Sequence, residues 1–167
     1  MPAGNTFEAI ATQTLGSAAA SVTFSSIPGT YTDLVIVCTP LRVTAGAEEL
    51  VFQFNSDTGS NYSSTILTGD GSTASSIRFS NQTYANMNYN SNVSQTQSVQ
   101  IYSLMNYSNT TTFKTFIGRA NRADSGVETA VALWRSTAAV TSIAAKLKNG
   151  NNFATGSTFS LYGIAAA

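Results

Sequence analysis

The chain reads as an all-β protein, an antiparallel jelly-roll-like β-sandwich, on three observations. Apolar and polar residues alternate with period two in several short segments, as in Leu50, Phe52 and Phe54, or Val127, Thr129, Val131 and Leu133. Turn-forming residues separate these segments about every ten residues, the spacing of a sandwich or barrel. Helical stripes are missing: the Ala-rich stretches Gly16–Ala20 and Ala138–Ala145 lack a clear i, i+4 pattern, and β-branched residues interrupt the second. Eight or more strands in 167 residues favour a jelly roll over the shorter immunoglobulin plan.

Taken in order, the predicted strands begin with Thr6–Thr14 and Ala20–Ser25, where Val22 and Phe24 alternate with Thr23 and Ser25. Pro28-Gly29 then reads as a turn, Pro28 fixing φ and Gly29 taking the positive φ that follows. Asp33–Thr39 contains the unbroken apolar run Leu34 to Cys38, so that strand is expected to be covered on both faces. Leu50–Asn55, Ser75–Ser80, Ser98–Met105, Thr112–Ala120, Val127–Arg135, Ser142–Lys148 and Ser157–Ile164 follow. In the last, Phe159 and Leu161 oppose Ser160 and Tyr162. The expected core is Val22, Phe24, Val35, Val37, Phe52, Phe54, Ile101, Val131, Leu133, Phe159 and Leu161. Residues 6–167 are read as one domain after a short arm, Met1 to Asn5, with a long surface excursion at Asn81 to Gln97 rich in Asn, Ser, Gln and Tyr.

Ser, Thr and Asn make up about a third of the chain, hydrophobic residues 43% and charged residues only 10%. A surface of hydroxyls and amides desolvates at lower cost than a charged one, which suits broad contact with neighbours. Net charge is zero, giving no global case for nucleic acid or membrane binding. Acids dominate before Arg78 and bases after it. The apolar runs fall far short of a membrane helix, and the opening residues lack the basic start and apolar core of a signal peptide. The expectation is a protein made in the cytoplasm.

Catalytic chemistry has little raw material. The chain has no His and one Cys, which removes the commonest general base and the Cys/His systems for nucleophilic attack or structural zinc. Glu48 and Glu49 are sequence neighbours, which in a strand point to opposite faces, and Asp124 with Glu128 reads as a polar hairpin around Gly126. Ser56–Asn61 and Gly69–Thr73 could offer oxygen ligands to calcium, but Asp-Thr-Gly and Asp-Gly are ordinary turn chemistry. No enzyme activity, cofactor or metal is therefore expected. Tyr84, Met87, Tyr89 and Tyr107, with Arg119 and Arg122 from the basic second half, are the candidate interface residues. Tyr, Ser and Asn together make adaptable protein interfaces, and aromatic rings with amides also suit glycans.

Four blocks carry a resemblance: SVTFSSIPGTYTDLVIV (Ser21 to Val37), FNSDTGSNYS (Phe54 to Ser63), GDGSTASSIR (Gly69 to Arg78) and NFATGSTFSLYGI (Asn152 to Ile164). Together they resemble a family of small virion structural proteins of tailed bacteriophages, cyanophages among them. The resemblance implies a non-enzymatic virion protein on the particle surface, a capsid decoration or cement protein stabilising the head. The alternative it implies is a tail-fibre tip, knob or receptor-binding module, with glycan as one ligand class. Its implied partners are itself, as a homotrimer, and the major capsid protein or other virion proteins.

Overall fold

A computed structural model describes residues 6–90 and 93–165; the expected arm, Met1 to Asn5, lies outside the described residues. Twelve strands form two antiparallel sheets with no helix among the described residues: β1 (Phe7–Thr14), β2 (Ser21–Phe24), β3 (Asp33–Thr39), β4 (Leu50–Phe54), β5 (Tyr62–Gly69), β6 (Ala74–Gln82), β7 (Ala85–Asn86), β8 (Val99–Met105), β9 (Lys114–Arg122), β10 (Gly126–Trp134), β11 (Ile143–Leu147) and β12 (Thr158–Ile164). One sheet has eight strands in the order β1-β12-β3-β8-β9-β10-β5-β6, the other four in the order β2-β11-β4-β7.

The connectivity is that of a jelly roll with two additions. Strands early in the chain pair with strands late in it, nested as β1 with β12, β2 with β11, β3 with β8 and β4 with β7. A long hairpin folded over on itself produces this nesting, with alternate arms falling in opposite sheets. The hairpin β5–β6 is inserted between β4 and β7, and β9–β10 between β8 and β11. Both join one edge, so the larger sheet runs on past β8 through β9, β10, β5 and β6.

The core lies between the sheets. Phe52 and Phe54 of β4 project onto the large sheet, where Phe52 meets Tyr102 and Phe116 edge-on at 5.0 and 5.1 Å. Phe54 contacts Phe116, Trp134 and Tyr62. Each such ring contributes about 1.5–3 kcal/mol through burial, and well-placed ring pairs add about 0.5–1.5 more. Gly118 makes room for this cluster: a Cβ there would lie 2.2 Å from the Tyr102 ring of the neighbouring strand.

Several expectations need correction. Five of the expected core residues lie on the other face. Val35, Val37 and Ile101 are half-buried, Val131 is exposed and Leu133 is half-buried. Their neighbours Leu34, Ile36, Cys38, Tyr102, Leu104, Ala130, Ala132 and Trp134 fill the core instead. The inner face of β10 lies close against the short β7, so it carries Ala130 and Ala132 beside Trp134, and the bulkier Val and Leu go outside. Pro28-Gly29 joins strands of opposite sheets, and Gly29 does not adopt positive φ. Strand β5 fills the stretch between the turn blocks Ser56–Asn61 and Gly69–Thr73, where no strand was expected.

The stretch Asn81 to Gln97 is not a surface excursion. It begins within β6, forms β7 against β4, and buries Ala85, Asn86, Met87, Asn88 and Val93. The buried Asn88 carboxamide accepts from Leu50 N–H at 2.8 Å, which explains how an Asn-rich segment enters an interior.

Candidate interaction surface

The candidate residues separate into three groups. Met87 and Tyr107 are fully buried and are corrected from interface to core. The Tyr107 hydroxyl donates to Pro28 C=O and accepts from Tyr31 N–H, fixing the crossover between β2 and β3. Tyr84 is half-buried, and Tyr89 is exposed beside Phe79 at 6.1 Å. Tyr89 owes its position to Glu128, a buried carboxylate on the inner side of β10 that accepts from Tyr89 N–H at 2.8 Å and from Asn90 N–H. Glu128 is thus a buried anchor, not a hairpin surface residue. Arg119 and Arg122 lie on β9.

Arg119 points from the outer face of the eight-stranded sheet, and its surroundings mark that face. Register places Ile101 of β8 and Thr129 of β10 opposite it, and the next row pairs Ile117 with Val131. Thr129 in turn faces Leu67 of β5, and Val127 lies two residues along β10. Val127 is 64% exposed, Leu67 56%, Val131 45% and Ile117 43%. Sheets of an antiparallel sandwich ordinarily turn a polar face to water. Here several adjacent strands present aliphatic side chains there, with Thr and Ser between them.

The face is dished at one end. An open concavity of about 1160 Å³ lies between the β5–β6 turn, the β9–β10 turn and the start of β8. Leu67, Val99 and Val127 line it with Arg119, while Asp70 and Asp124 stand at its rim. Arg122 pairs with Asp124 at 2.7 Å. Arg119 has no described ion pair, so the face offers its guanidinium among apolar neighbours, and Arg78 of β6, bonded to Thr65 Oγ1 at 3.3 Å, stands on the same face. Aromatic rings are absent from this lining, which removes the stacking platform that a glycan site uses.

The carboxylates read as possible ligands or acids are committed to the fold. Asp70 accepts from Ser72 N–H and Thr73 N–H at 2.9 and 2.7 Å, and these bonds hold its carboxyl below the usual carboxylate range. Asp57 accepts from Gly59 N–H, Asn61 Nδ2 and Trp134 Nε1. Glu48 is buried, accepting from Asn149 N–H and from Asn151 Nδ2 at 2.7 Å with Arg42 3.4 Å away, whereas Glu49 pairs with Lys148. The two glutamates thus serve separate contacts. Among the described residues no three His, Cys, Asp or Glu side chains converge as a metal site would require.

The sequence reading singled out Arg119 but missed the aliphatic face around it. The signal was present in Val127, Val131 and Leu133, of which Val131 and Leu133 were assigned to the core. No protein-family model matches the chain, and no curated protein matches it.

Proposed function

We propose that this protein is a non-enzymatic virion structural protein, a decoration or cement module that binds the head of a tailed phage through the outer face of its eight-stranded sheet. The observation that carries the reading is the exposed aliphatic surface around Arg119, spread over β8, β9, β10 and β5. With β3 alongside, strand spacing and rise make this face about 20 by 25 Å, comparable in scale with one side of a standard protein interface. Apolar patches of this kind on a water-facing sheet mark interaction sites. The Arg119 guanidinium supplies orientation toward a carboxylate on the partner. The occupant is the capsid surface, in keeping with the resemblance to virion proteins.

The test uses particles assembled without this gene product. Added wild-type protein is expected to bind their heads, and Val131→Asp to bind at least about tenfold more weakly, because it places an unpaired carboxylate in a desolvated contact. Val131 is 45% exposed on the outer face, so the variant should stay folded, melting only a few degrees lower as Asp replaces a strand-favouring Val. Heads that are normal without the protein, coupled with lost host adsorption, would instead favour the tail-fibre reading, for which the exposed Tyr89 and half-buried Tyr84 are the candidate contacts. Undiminished head binding by Val131→Asp would remove the sheet face from the proposal.

A further inference from the structure

The four sheet edges are not equally protected. Strand β1 is bulged between Ala9 and Ala11, β2 has four residues, and β7 has two, both buried. Strand β6 has nine residues and a bulge only near its far end, between Phe79 and Gln82, which leaves a regular run from Ala74 to Phe79. Among the described strands it pairs with β5 alone, and its outer face is exposed from Ala74 to Ser80, while Ile77 and Phe79 on the inner face pack against the core. It has no Pro, and its single charge is Arg78. Long, flat edges of this kind are templates for strand addition, and proteins ordinarily blunt them.

The directions of its backbone groups follow from the hairpin. Asp70 N–H bonds Thr73 C=O at 3.3 Å and closes the β5–β6 turn. In the register that follows, bonded and non-bonded pairs alternate, so Ser75, Ile77 and Phe79 bond to β5. Ala74, Ser76 and Arg78 therefore direct their N–H and C=O groups outward, away from the sheet. Among the described residues no strand takes them up.

We infer that β6 is a dimerisation edge, pairing antiparallel with β6 of a second copy of this chain to join two eight-stranded sheets into one. Outward residues must pair with outward residues, which leaves few two-fold registers. Centring on Arg78 would set Arg78 against its own copy, a like-charge pair that is unfavourable. Centring on Ser76 pairs Ala74 through Arg78 and sets Ile77 opposite Ser75 of the second copy. Centring on Ile77 pairs the regular run from Ser75 to Phe79 and puts Arg78 opposite Ser76 of the second copy. It also sets the two Ile77 side chains together at a non-bonded pair, where side chains approach most closely. The two-fold axis then lies along the sheet normal, so both outer faces point the same way. The dimer does not depend on what those faces bind, and it would double the area available to any partner. A net charge of zero adds no long-range repulsion between copies.

Sedimentation velocity of the full chain over a concentration series tests the pairing, separately from any particle-binding assay. Wild type is expected to form a concentration-dependent dimer. Ser76→Glu places a carboxylate opposite Arg78 twice by symmetry and should tighten it roughly fivefold, and Ser76→Lys should weaken it by a similar factor. Ser76→Pro removes one outward N–H and should leave a monomer, its fold checked by circular dichroism. Ile77→Cys, made with Cys38→Ala and treated with a mild oxidant, should give a covalent dimer. A monomeric wild type, a trimer that persists in Ser76→Pro, or the same affinity in Ser76→Glu and Ser76→Lys would each overturn the inference.

Discussion

Trp134 Nε1 donates to Asp57 Oδ2 at 2.7 Å, tying the end of β10 to the turn after β4. Burial alone pushes the Asp57 carboxyl upward, but the bonds from Trp134, Asn61 and Gly59 outweigh it and leave the group below its ordinary value. A carboxyl depressed in the folded state adds stability above its unfolded pKa of about 3.9, and that stability is lost as pH falls through the lower folded value. Trp134 is the sole tryptophan, so its fluorescence reports this contact directly. Emission should stay constant through the normal carboxylate range and shift only below it. In Asp57→Ala the acid shift should vanish, and stability should fall by about 2–3 kcal/mol because a buried indole N–H loses its acceptor. An emission change centred at an ordinary carboxylate pKa would show that the indole bond does not hold the charge. Because Asp57 and Asp70 already satisfy turn amides, EDTA followed by excess calcium should leave the melting temperature unchanged. A drop restored by calcium would make either turn a metal site.

At the level of elements, strand existence was legible and strand phase often was not. The ten predicted strands overlap β1 to β4, β6 and β8 to β12. Alternation and turn spacing are local signals, and they survive folding. Phase depends on what lies across the sandwich. In β10 the small residues Ala130 and Ala132 fill an inner face that lies close against β7, so the strand's largest aliphatics point outward and reverse the expected amplitude. In β3 both faces are apolar, and the run from Leu34 to Cys38 carried no phase at all. Tyr62–Gly69, which forms β5, was not among the predicted strands, though its Thr65, Ile66 and Thr68 are β-branched and suit one. Tertiary contact also explains Met87 and Tyr107, whose polar neighbours in sequence gave no sign that Pro28 and β4 would cover them. The phase is open to measurement. Leu133→Ala, on the half-exposed outer face, should cost no more than about 1 kcal/mol, whereas Phe116→Ala in the ring cluster should cost about 3–5. Equal losses would put Leu133 back in the core.

Over the whole molecule, folding the long hairpin buries acidic groups from distant parts of the chain in one core, and this sets its response to alkali. Burial raises the Cys38 thiol and the Tyr62 and Tyr102 phenols well above their ordinary values. An acid raised in the folded state stabilises fully below its unfolded pKa and loses that contribution as pH rises beyond it. The unfolded chain therefore gains about 1.4 kcal/mol per pH unit from the thiol above about 8.5, and from each phenol above about 10. Lys114 acts oppositely. It is buried with its ammonium donating to Thr112 C=O and Thr137 C=O at 2.8 and 3.2 Å, and desolvation lowers its pKa, so stability rises with pH up to the unfolded lysine value. A bare alkaline titration mixes these slopes, and a comparison with Cys38→Ala separates them. Lys114 and both phenols are common to the two proteins, so the thiol alone determines their difference. Denaturant unfolding at a series of pH values should show wild type losing ground to Cys38→Ala from about pH 8.5 upward, at about 1.4 kcal/mol per unit. Beyond about pH 10 both should fall together and more steeply, as the phenols ionise only in the unfolded chain. A stability difference that stays flat across that range would mean that the Cys38 thiol ionises inside the fold, and that the core between β3 and β4 admits water.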